Sequence, residues 1–171
     1  MTEHIDRRRF LKSAAGSTVV LASIPVLGVP ANSLAAGCRV FTLAQAATVS
    51  AIAVQFVPAD NDPGAKEAGV VFFIDGILVG RFGKFFKDCY ERGLGMVDEL
   101  SSKRFGQNFV ALDHDQQITI LKALESGEGA GDEGCNFFSL ILRHTMEGYY
   151  GDPEHGGNRD NVSWKMIGFE G

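Results

Sequence analysis

Val70-Val71-Phe72-Phe73-Ile74-Asp75-Gly76-Ile77-Leu78 carries the most regular apolar pattern in the chain. Val70, Phe73, Ile74, Ile77 and Leu78 recur at i, i+3, i+4, i+7 and i+8, the spacing of one buried helical stripe. The pattern predicts a helix from about Ala65 or Lys66 to the Gly80–Gly83 region. Upstream, Thr42-Leu43-Ala44-Gln45 reads as a capping box. The helix it opens places Leu43, Ala46, Val49, Ile52, Ala53 and Phe56 on one face and stops before Pro58, because a residue preceding proline avoids the helical region. Asp60 and Asp62 sit among prolines, where turn formation is the simplest role.

Downstream, a third helix is expected from about Lys84 to Leu100, with Gly93 and Gly95 as places where it breaks. Asp113 with Gln116 opens a fourth, with Ile118, Leu121 and Leu124 inward and Gly127 as its end. Ser126 to Gly134 reads as a mobile loop. A fifth helix runs from about Asn136 to Tyr149, lined by Phe137, Phe138, Ile141, Leu142, Thr145 and Tyr149. No strand alternation lasts beyond four residues, and there are no internal repeats. The expected fold is all-α: one small irregular helical bundle, followed by a long ordered C-terminal loop segment.

The N-terminus is of another kind. Arg7, Arg8, Phe10, Leu11 and Lys12 form a twin-arginine pattern, and no charge follows from Ser13 to Cys38. A basic start, a short apolar stretch and a small-residue end make an export signal. With its Gly and Pro residues, the stretch is too weakly apolar for a permanent span. Two endings are legible. Ser33-Leu34-Ala35 fits cleavage after Ala35, and Leu34 to Cys38 resembles a lipoprotein box with Cys38 lipidated. The organisation expected is a signal over 1–37 and one domain over 38–171.

The signal holds four basic and two acidic residues, so the net charge of −5 becomes −7 for the remainder. An acidic domain without a basic cluster argues against nucleic-acid binding. Cys38, Cys89 and Cys135 are the three cysteines. In an oxidising compartment an odd count leaves one over. If Cys38 is lipidated, Cys89 and Cys135 are the natural disulfide pair; otherwise three pairings are open. No Cys-x-x-Cys or Cys-x-x-Cys-His occurs, so the sequence offers no dithiol or c-type haem motif. Neither Gly-x-Gly follows a strand, and no nucleophile elbow is present. His144 and Glu147 are most simply a pair on a helix surface. Asp152, Glu154 and His155 form at most a weak cation-binding loop. No catalytic, cofactor-binding or metal-binding residue is expected in this chain.

Gly151 to Gly171 has no period, yet it holds Trp164, Met166, Ile167 and Phe169. It either folds back over the bundle or offers its large side chains to another protein. In the second reading Arg159 and Trp164 are the anchors, with Met166, Ile167 and Phe169 beside them.

Asp62-Pro63-Gly64-Ala65-Lys66-Glu67-Ala68-Gly69-Val70, continuing through Phe73-Ile74-Asp75, resembles the gluconate 2-dehydrogenase subunit 3 family. So do Gly148-Tyr149-Tyr150-Gly151-Asp152-Pro153, Gly156-Gly157-Asn158-Arg159-Asp160 and Trp164-Lys165-Met166-Ile167-Gly168-Phe169. The family pattern has Tyr where this chain has His155. The resemblance implies the small subunit of a membrane-bound, FAD-dependent sugar-acid or alcohol dehydrogenase. FAD lies in a glucose–methanol–choline-type flavoprotein large subunit, and haem c in a cytochrome c subunit that passes electrons to quinone. The small subunit is then a periplasmic, inner-membrane-associated partner that escorts the large subunit through the twin-arginine translocase. A stand-alone periplasmic lipoprotein binding a small ligand is the competing reading.

Overall fold

The computed structural model describes residues 37–81 and 83–169, with Cys135 described for its backbone alone. Arg7, Arg8, Phe10, Leu11, Lys12 and the cleavage site at Ala35 lie outside the described residues. Those described form six α-helices and three short 3-10 turns, with no strand among them. The helices are α1 (Leu43–Phe56), α2 (Val70–Val79), α3 (Gly83–Phe105), α4 (His114–Ser126), α5 (Gly131–Tyr150) and α6 (Val162–Ile167). The expected all-α bundle is what the chain forms. Helix α5 is its hub, packing against each of the other five helices.

The locally encoded ends come out as read. Thr42 and Gln45 make a reciprocal capping box on α1, and Asp113 and Gln116 make one on α4. Gly127 closes α4 in the left-handed region at φ 74°, where only glycine is free of a Cβ penalty.

Other boundaries differ. Helix α2 starts at Val70, not near Ala65, because Gly69 is left-handed at φ 72° and breaks the helical run. Residues 65–69 form hydrogen-bonded turns instead. Helix α3 does not break at Gly93 or Gly95. At Gly93 the Phe137 ring of α5 lies where a Cβ would be, so this glycine permits close helix packing. The stretch read as a mobile loop is largely helical, since α5 already begins at Gly131 with Asp132 and Glu133 in its first turn. Those acids suit the positive end of the helix dipole.

Some inward faces also shift. Leu43 is 44% exposed, while Thr48 is buried and donates its hydroxyl to Ala44 O. On α4, Gln117 rather than Ile118 points into the core. Its amide donates to Phe109 O at 3.0 Å and its side-chain oxygen accepts from Gln55 Nε2 at 2.6 Å. That satisfies a polar group whose burial would otherwise be costly.

Asp75 is the least expected buried residue. Its side chain lies inside the stripe of α2 at 1% exposure. The carboxylate accepts three backbone N–H groups from the chain just ahead of α1: Arg39 at 2.7 Å, Val40 at 2.9 Å and Phe41 at 2.8 Å. This strap brings Phe41 edge-on to Tyr90, with ring centroids 5.5 Å apart. Gly37, at the outer end of the strap, abuts the ring of Phe72.

Candidate functional site

The segment after α5 folds back over the bundle, the first of the two sequence readings, and leaves several of its large side chains exposed. Its root is Asn158, fully buried in a left-handed conformation at φ 41°. Asn158 N donates to Gly148 O at 2.8 Å and its Nδ2 to Gly151 O at 3.0 Å. Its Oδ1 accepts from both the backbone N and the hydroxyl of Ser163, at 3.0 and 2.8 Å. One side chain therefore ties the end of α5 to the first turn of α6. An asparagine suits the position, because its short amide tolerates left-handed backbone and bonds locally.

Arg159 extends the root to α2. Its backbone N donates to Ala68 O at 3.0 Å, and its guanidinium lies over the Phe72 ring, 5.1 Å from the centroid. Such a contact is worth about 0.5–1 kcal/mol at an exposed site. Part of what Arg159 offers is therefore engaged within the chain. Tyr149 donates its hydroxyl to Pro63 O at 2.7 Å and touches the Met166 sulfur at 3.9 Å. Burial, reinforced by the nearby Tyr150, Asp62, Asp60 and Glu67, pushes the Tyr149 phenol up, so it stays a neutral donor.

On this root stands an apolar rim. Trp164 is half-buried, donates Nε1–H to Tyr150 O at 2.9 Å, and meets Phe169 edge-on at 5.0 Å. Ile167, Phe169, Tyr150 and Met166 are 61%, 54%, 46% and 38% exposed. Large side chains held on fixed backbone lose little freedom on binding, which is the condition for interface anchors.

The titratable residues singled out in the sequence are not gathered. His144 is not a helix-surface residue but is 2% exposed, with Nδ1 3.1 Å from the Tyr90 hydroxyl and its ring against Phe86. The angular difference between His144 and Glu147 sends Glu147 outward, where it pairs with Arg143 at 3.7 Å. Burial, with Arg143 adding to it, lowers the His144 pKa to about 4. His155 is exposed beside Glu154, and Asp152 caps the turn at Pro153–His155 through Glu154 N. Asp60 accepts from Asp62 N within its turn. No group of three or more His, Cys, Asp or Glu comes together among the described residues. No described helix is long and apolar enough to cross a membrane.

Cys38 and Cys89 are free thiols, both half-buried. Burial, then the Asp75 carboxylate, pushes the Cys38 thiol up to about 11. Contacts of Phe86 with His144 and of Gly93 with Phe137 set α3 and α5 antiparallel. The expected Cys89–Cys135 pair involves the Cys135 side chain, which lies outside what is described.

No curated protein and no solved structure gave a match. A family model does match, over residues 44–171, and its description is gluconate 2-dehydrogenase subunit 3. The matched span takes in all of the bundle from the first turn of α1, together with the Asn158 root and the rim it carries, and the chain thus belongs to the gluconate 2-dehydrogenase subunit 3 family.

Proposed function

We propose that this protein is a non-catalytic subunit that binds the flavoprotein large subunit of a gluconate 2-dehydrogenase-type complex and escorts it out of the cytoplasm. FAD belongs to that glucose–methanol–choline-type partner, and a cytochrome c subunit carries its electrons onward. The twin-arginine signal at Arg7 to Lys12 serves both chains, because that route accepts folded cargo with its cofactor in place. The complex resides in the periplasm against the inner membrane.

The observation that carries the reading is the rooted C-terminal rim. Family membership supplies the expectation of partner subunits, and the outward Ile167 and Phe169 supply a place for one. Trp164 and Arg159, each partly engaged within the chain, frame that place.

The test has two arms. Ile167→Asp with Phe169→Ser leaves the root intact and should abolish co-purification of the flavoprotein. Deleting residues 1–36 should strand dehydrogenase activity in the cytoplasm. A flavoprotein that reaches the periplasm without this chain would end the escort role.

A further inference from the structure

A second surface, unrelated to the rim, lies at the turn between α2 and α3. Residues 79–88 hold Arg81, Lys84 and Lys87 against one acid, Asp88, in a chain of net charge −5. Phe85 is 68% exposed and Val79 48%. Phe86 is half-buried, edge-on to His144 at 5.1 Å, and its other neighbour is the Phe85 ring, edge-on at 5.6 Å. Arg81, Lys84 and Phe85 line one open depression of about 360 Å³ with Asp88. Lys87 faces Glu91 at 4.0 Å, and both are about half exposed.

We propose that this turn is a lipid-contacting surface: Phe85 and Val79 enter the headgroup boundary of an anionic bilayer, and Arg81 and Lys84 meet its phosphates. Lys84 and Lys87 stand beside the exposed Phe85, and protein interfaces are poor in lysine. Long basic side chains beside an inserting aromatic are the arrangement found at membrane interfaces, where the stems lie along the apolar layer and the charges reach the headgroups. Local charge favours the same occupant, because an acidic domain approaches an anionic bilayer only through a basic spot. The two surfaces leave α2 by opposite ends: Arg159 packs at Gly69 and Phe72, and the turn follows Val79. One chain can thus hold a partner and a bilayer together. The proposal goes beyond the escort reading and does not depend on it.

A photoreactive phenylalanine analogue at position 85 of the full chain tests the contact directly. With vesicles of phosphatidylcholine and phosphatidylglycerol, and again in cells, the expected product is a lipid adduct. A protein adduct in cells, or no adduct in either setting, overturns the proposal. Flotation of the full chain supplies a second measurement, since the N-terminal apolar stretch is common to every variant. Arg81→Gln with Lys84→Gln should weaken binding to the anionic vesicles about thirtyfold and leave binding to phosphatidylcholine alone unchanged. Equal loss on both vesicle types, or no loss, overturns it. Both positions are exposed, so an unchanged thermal midpoint verifies the fold, and Ile167→Ser should float like the parent chain.

Discussion

The Asp75 carboxylate on α2 holds the backbone N–H of Phe41 at 2.8 Å, across 34 residues of sequence. Together with the bonds from Arg39 and Val40, it replaces with peptide dipoles the water that a buried charge loses. Asp75→Ala leaves those donors unpaired, and the expected loss is on the order of 3 kcal/mol. Urea unfolding measures it. Hydrogen exchange at residues 39–41 should accelerate in the same variant. Unchanged protection there would show that the carboxylate does not hold the strap.

Gly93 and Gly95 should respond oppositely to the same substitution. Gly93→Ala forces a methyl into the Phe137 ring and should destabilise by about 1–3 kcal/mol. Nothing lies within 4 Å of a Cβ at Gly95. Gly95→Ala should therefore stabilise by about 0.5–1 kcal/mol, through helix propensity and a less free unfolded chain. Thermal midpoints moving in the same direction would contradict this packing.

His144 gives the fold a pH dependence of defined sign. Its pKa in the folded protein is lowered from 6.5 to about 4, so the unfolded chain takes up the proton first. Stability is full above 6.5 and falls as pH drops from there towards about 4, by roughly 1–3 kcal/mol. His144→Asn keeps a polar group near the Nδ1 position without titrating. It should flatten this part of the stability–pH curve, and an unaltered slope would assign the dependence to other groups.

Asn158 separates the root of the rim from the rim itself. Asn158→Ala removes the bonds to Gly151 and Ser163 at a fully buried site, at about 2–3 kcal/mol. Limited proteolysis beyond residue 158 should then increase. Ile167→Asp should leave that proteolysis unchanged while weakening flavoprotein capture. If capture survived the loosening of the root, ordered presentation would not matter for binding.

Legibility in the sequence followed the range of the interactions. The caps at Thr42–Gln45 and Asp113–Gln116 are written within four residues, and both were readable. Gly93 was not, because its role is set by Phe137, far along the chain. Asp75 carries no sequence signal of burial, since its partners are backbone amides that no residue type encodes. The apolar letters of the C-terminal segment marked it as special. Yet the bonds that Asn158 makes across the fold-back, with those of Arg159 and Trp164, explain how those side chains are both anchored and exposed. His144 was misplaced because helical spacing relates it to Glu147 but is silent on which of the two faces Tyr90.

The ring of Phe72 is touched by Gly37 at the outer end of the strap and by Arg159 in the segment after α5. A chain made from the N-terminus therefore cannot finish this junction until Arg159 exists. The strap can form early, but the second contact must wait for Arg159. Chains truncated before that point lack one side of the join, however well the earlier helices have packed. Closure of two distant segments on one aromatic side chain thus makes synthesis through Arg159 a physical prerequisite for this junction.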